Sequence, residues 1–167
     1  MRSSETRSRT KTHRDRQIKE VGHDPYMARD KPEGTLLCPK CRLVCRTGRW
    51  VRLQARPLKA KPHLCPACHR IGDKFPAGYV KLSGEFLAAK RAELLRLVKN
   101  EAARASSRHP LQRLMGIEDE EGGVVMVTTT DVHLARRIGE ALHHAFLGNL
   151  EIKYGPDQYL VRVDWSR

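Results

Sequence analysis

The chain has 167 residues and a formal net charge of +13, from 32 Lys and Arg against 19 Asp and Glu, with only 5% aromatic residues and five cysteines. That length allows one ordinary domain or two small ones. No apolar run approaches the roughly 18 residues of a membrane span, and the opening Met1-Arg2-Ser3-Ser4-Glu5 lacks a signal-peptide core, so a cytoplasmic protein without a membrane partner is expected.

Residues 1–35 are rich in Arg, Ser, Thr and Lys and carry almost no apolar periodicity. Such a segment buries too little apolar surface to offset its ordering entropy. It reads as a basic arm, disordered in isolation, that is either a solvated tail or orders on RNA.

Residues 36–82 hold all five cysteines and two short β-like runs, 49–53 and 78–82. Residues 83–109 form a predicted connector helix, with Leu87, Leu94, Val98, Ala102 and Ala105 on one stripe and Ser83 as its N-cap. Lys90 and Arg91 interrupt that stripe.

Residues 110–167 read as a ββαββ unit. Residues 111–118 form a weak strand, Glu121-Gly122-Gly123 a turn and residues 124–129 a strong β-branched strand. Thr130 or Asp131 caps a helix whose buried face is Leu134, Ile138, Ala141, Leu142 and Ala145, and Gly148 ends it. Residues 150–154 and 159–165 flank the turn Gly155-Pro156-Asp157-Gln158. The predicted class is α+β: a basic arm, a four-cysteine zinc ribbon, a connector helix and a two-layer C-terminal unit with its helix on one face of a largely antiparallel sheet.

Cys38-Pro39-Lys40-Cys41 and Cys65-Pro66-Ala67-Cys68 are the strongest motif. Each C-x-x-C knuckle turns two thiolates toward one point, and two knuckles supply the four ligands of one tetrahedral Zn²⁺. The spacer between them suits a β-hairpin. Disulfides are the competing reading, but they need an oxidising compartment and five is an odd count. Four thiolates leave no open coordination position, so the zinc is expected to be structural. Cys45 reads as a small buried apolar residue. His63 and His69 bracket the second knuckle without being needed as ligands.

The charge is concentrated. Residues 38–82 hold eleven basic residues and one acid, Asp73, whereas residues 110–167 carry six basic and nine acidic residues. Fixed positive charge of this density attracts nucleic acid. Arg46, Arg49, Arg52, Arg56, Lys59 and Lys61 lie between the knuckles with no acid among them, and Arg70 follows the second. These are the candidate phosphate contacts. Trp50, flanked by Arg49 and Arg52, reads either as a stacking platform for unpaired bases or as a core residue of the ribbon.

Catalytic signatures are absent: there is no Gly-rich phosphate loop, no G-x-S-x-G and no His-Glu-x-x-His. His133, Arg137, Glu140 and His144 share one helical face, which fits an acid–base or metal stripe and fits equally an exposed face with an Arg137–Glu140 pair. A non-enzymatic protein is expected.

Cys38-Pro-Lys-Cys41, Gly48-Arg49-Trp50, Cys65-Pro-Ala-Cys68-His69-Arg70, Pro76-Ala-Gly-Tyr79 and the run from Thr130 to Gly139 together resemble a family of small bacterial proteins. The resemblance covers essentially the whole chain, including His23-Asp24-Pro25-Tyr26. That family is in turn similar, more loosely, to the zinc-binding N-terminal region and following α/β domain of the archaeal and eukaryotic large-ribosomal-subunit export adaptor. The resemblance implies binding to the ribosome or ribosomal RNA, with the acidic C-terminal unit pointing away from RNA or docking on a basic ribosomal protein. A stress-, hibernation- or assembly-associated factor is the expected role. The alternative is a zinc-ribbon transcription regulator that binds DNA or RNA polymerase, and a third class is an enzyme using His133, Glu140 and His144.

Overall fold

Two sheets divide the molecule, and the shorter one is built around the cysteines. The structure, a computed structural model, describes residues 23–167 apart from Asp30, Arg56 and Asp157. In the ribbon, β1 (Leu36–Leu37), β2 (Val44–Arg46), β3 (Arg49–Val51) and β4 (Lys61–Pro62) form a four-stranded sheet in the order β3-β2-β1-β4. The β2–β3 hairpin pairs Cys45 with Trp50 and Arg46 with Arg49. It closes in two residues because Thr47 and Gly48 both take positive φ, +49° and +81°, the backbone that matches the twist of a tight hairpin. Helix α1 (Pro66–Gly72) follows directly from the second knuckle.

The larger body contains β5 (Gly78–Ser83), α2 (Glu85–Arg108), β6 (Leu114–Glu120), β7 (Val124–Thr129), α3 (Val132–Phe146), β8 (Asn149–Tyr154) and β9 (Val161–Ser166). Its sheet runs β6-β7-β5-β9-β8, with β5 parallel to β9 and every other neighbouring pair antiparallel. Alternation of buried and exposed residues along β5, β7 and β9 assigns one face to the core. Val80, Leu82, Val125, Val127, Val163 and Trp165 share a single buried cluster with Leu94 and Val98 of α2 and Leu134, Ile138 and Leu142 of α3.

This arrangement corrects the predicted division of the chain in two places. The sequence groups residues 78–82 with the ribbon, yet β5 is the central strand of the body, hydrogen-bonded on both sides. It makes residues 83–109 a connector, yet α2 buries the predicted stripe in the body's own core. The elements β6, β7, α3, β8 and β9 do follow in that order, but their sheet is completed by β5.

Local signals explain the helix ends. Asp131, not Thr130, caps α3, its carboxylate accepting from the backbone N–H of His133 and Leu134 at 2.8 and 3.1 Å. Ala145 is exposed, and Ala135 and Gly139 lie on the buried face instead. Helix α2 has no side-chain cap. Gly84, not Ser83, precedes it at φ +100°, where a Cβ would collide with the backbone of Arg167. The helix kinks at Lys90, where the apolar stripe is interrupted. Among the described residues no helix is long and apolar enough to cross a membrane.

Candidate metal centre and nucleic-acid interface

The two knuckles bring Cys38, Cys41, Cys65 and Cys68 together, with all four sulfurs within 4.8 Å of one another. Backbone geometry achieves this. At the first knuckle, the Arg42 N–H donates to Cys38 O at 2.9 Å and the Cys38 N–H to Leu43 O at 2.8 Å, closing a tight turn. At the second, Cys65 is the N-cap of α1, Pro66 supplies a first helical residue with no N–H to satisfy, and Cys65 Sγ accepts from the Cys68 N–H at 3.4 Å. Cys41 Sγ and Cys65 Sγ are 3.5 Å apart. A tetrahedral ion with bonds near 2.3 Å separates its sulfurs by roughly 3.8 Å, so the four residues fit one metal ion. Cys38 and Cys65 are fully buried.

The thiols are electrostatically unequal. Burial alone would raise Cys38, but backbone hydrogen bonds from Cys65, Cys41 and Lys40 outweigh it and bring the group down to about 6. Burial pushes Cys65 and Cys68 up. Crowded thiols resist ionising together, and a bound cation removes that resistance. Cys45 lies in β2 outside the cluster, 1% exposed, its thiol pushed up by burial and only partly relieved by the Gly48 backbone N–H. His63 and His69 are exposed and do not join the cluster.

A fifth residue completes the centre. Arg113, just before β6, donates from Nη2 to Cys41 Sγ at 3.2 Å and from Nη1 to Cys68 Sγ at 3.5 Å. Its Nε is held by Pro110 O at 2.7 Å, and its backbone N–H by Thr130 Oγ1 at 2.9 Å. Burial would lower its pKa, but the sulfurs of Cys41, Cys65 and Cys68 together more than compensate and hold the guanidinium above its ordinary value. Arg113 lies 72 residues from Cys41, in a segment that shows no motif, and only the folded chain reveals the contact.

The basic positions divide by environment. Arg46, Arg49, Arg52, Lys59 and Lys61 are exposed on the ribbon. Among the described residues none of them pairs with a carboxylate, whereas Lys90, Arg91, Arg104, Arg136 and Lys153 of the body each do. Arg52 also donates to Ser106 Oγ on α2 at 3.0 Å. Arg56 lies outside the described residues. Trp50 is half-buried: it packs against the cysteine core and stacks on His63, centroids 6.4 Å apart and 22° between planes.

Arg70 is a correction. The sequence places it among the phosphate contacts, but it is 1% exposed. Its guanidinium bonds Asp24 at 2.5 Å and Phe75 O at 3.0 Å and lies 4.3 Å from the Tyr26 ring centroid. A buried charge must be paired where it sits, and Arg70 is occupied in holding the segment 23–29, a strap that also fixes Tyr26 Oη on Asp73 at 2.8 Å. The reading of 1–35 as a disordered arm therefore fails for this strap, and residues 1–22 lie outside the described residues.

On α3, Glu140 pairs with Arg136, Nε to Oε1 at 2.8 Å, rather than with Arg137. Among the described residues, the cysteine cluster is the one convergence of three or more metal-ligating side chains. No family model, curated protein or solved structure matches the chain.

Proposed function

We propose that this is a non-enzymatic zinc-ribbon protein that binds RNA and acts on the ribosome through ribosomal RNA, as a stress-, hibernation- or assembly-associated factor. Zinc is the metal of choice for four convergent thiolates, since a soft sulfur set in tetrahedral array suits it and leaves no site for substrate or water. Cys38, Cys41, Cys65 and Cys68 would hold the ion, and its role is to fix the ribbon.

The observation that carries the reading is the row of ribbon cations without carboxylate partners. A cation paired in the protein has less to offer a phosphate, and five of the body's cations, Lys90, Arg91, Arg104, Arg136 and Lys153, are paired in this way. Those of the ribbon are presented to solvent. Phosphate contacts release counterions, so affinity falls by about 0.7–0.9 logarithmic units per contact for each tenfold rise in salt.

Charge reversal tests this. Replacing Arg46, Arg49 and Arg52 by Glu is expected to weaken binding to a structured ribosomal RNA fragment at least tenfold. The salt slope should flatten by about 2–3. An unchanged slope would contradict the assignment of the footprint to the ribbon.

A further inference from the structure

A cleft of about 610 Å³ opens where the ribbon hairpin, the strap and the body meet, beside the metal centre. Its size falls within the roughly 300–1,000 Å³ of small-ligand sites. Arg49 and Trp50 of β3 form one wall, and Arg108 and Gln112, from the end of α2 and the turn after it, form another. The two lining carboxylates are occupied. Asp24 holds Arg70, and Asp131 caps α3 and accepts the Tyr159 hydroxyl at 2.9 Å. Arg49 and Arg108 are exposed and have no carboxylate partner among the described residues. Gln112 contributes a second asymmetry: its Oε1 is buried with no hydrogen-bond partner among the described residues. Buried acceptors are nearly always paired, so an orphan at a cleft wall points to a donor supplied from outside.

We infer that the cleft takes one unpaired nucleobase of an RNA strand. Trp50 supplies the stacking surface, Gln112 Oε1, turned into the cleft by rotation of its side-chain amide, accepts an N–H from the Watson–Crick edge, and Arg49 and Arg108 hold the flanking phosphates. Indole stacking tolerates any base because each has a π-face. The acceptor discriminates by pairing state: every base carries an N–H donor on that edge, and in a duplex that donor is already engaged. Single-stranded loops and bulges are where proteins reach such edges. The inference rests on the RNA-binding reading above and adds to it a site and a preference for unpaired nucleotides.

The test uses the full zinc-loaded chain, a short single-stranded oligoribonucleotide and the duplex of the same sequence. The chain has two tryptophans and Trp165 is fully buried, so quenching of tryptophan emission reports on Trp50. The single strand is expected to quench and the duplex is not. Gln112→Leu is expected to weaken single-strand binding about five- to tenfold, with duplex binding and metal content unchanged. Arg108→Ala should weaken it by a similar factor without touching the metal ligands. Equal quenching by the duplex, or unchanged single-strand affinity in Gln112→Leu, would overturn the inference. Binding of structured ribosomal RNA without any single-strand quenching would overturn the cleft assignment alone. Failure to bind any RNA would overturn the functional reading with it.

Discussion

Arg113 places two N–H donors on the sulfurs of Cys41 and Cys68, and a zinc ion held by four thiolates carries a net charge of about −2. A guanidinium at that distance offsets part of the charge and fixes two ligand orientations. Outer partners of this kind are worth about 10–100-fold in metal affinity. Arg113→Met is therefore expected to lower zinc affinity by that factor, measured by competition with a chromogenic chelator. Arg113→Lys, which keeps the charge but loses the planar fork, should fall between. Unchanged affinity in Arg113→Met would show that the contact only fastens the ribbon to the body. At this scale the ligands are readable because C-x-x-C spacing is local. Arg113 is not readable, since its partners lie 45 and 72 residues away. Arg70 misleads for a related reason: composition counts a charge but does not say whether it is buried, and its anionic partner Asp24 lies 46 residues upstream.

Helix α3 and strands β5 and β9 approach each other more closely than side chains normally allow, and two glycines make it possible. A Cβ at Gly139 would collide with Val163 Cγ1, and one at Gly78 would collide with Ala135 Cβ and Thr129 Oγ1. Gly139 also sits in a helix interior, where alanine is intrinsically favoured by about 1 kcal/mol. Gly139→Ala is expected to destabilise the body by about 1–3 kcal/mol nonetheless, because overpacking outweighs propensity. Thermal unfolding measures it, and a rise in the midpoint would mean that the helix can retreat from the sheet at little cost. The strongly patterned elements of the body are legible: β7 from its β-branched run and α3 from its cap and apolar face. The place of β5 is not. A strand declares its face by alternation, but its neighbours β7 and β9 lie tens of residues further on, and nothing local to residues 78–83 names them.

Across the whole molecule, the ribbon and body differ in what holds them. The body has a continuous apolar core drawn from both helices and the five-stranded sheet. The ribbon has a small cluster of Leu43, Ala67 and the cysteines themselves, together with strands of two or three residues. With a metal ion bound to the four cysteines, such a unit would take much of its folding free energy from it. Chelation is expected to release amide protection in residues 36–72 while β5, β7 and β9 stay protected. Hydrogen exchange reads both at once, and equal loss throughout would show that the two parts unfold as one.

Charge is distributed along related lines: Arg46, Arg49, Arg52, Lys59 and Lys61 of the ribbon have no carboxylate partner among the described residues, whereas Lys90, Arg91, Arg104, Arg136 and Lys153 of the body do. The concentration of charge is visible in the sequence, whereas its freedom from carboxylate partners requires the fold. The most direct measurement is therefore sedimentation of the tagged, zinc-loaded protein with ribosomes through a sucrose gradient at two salt concentrations, beside the Arg46, Arg49 and Arg52 charge-reversal variant. Co-migration with a ribosomal peak at low salt, reduced at high salt and lost in the variant, is the expected result. Residence at the top of the gradient at both salt concentrations would contradict a ribosomal partner.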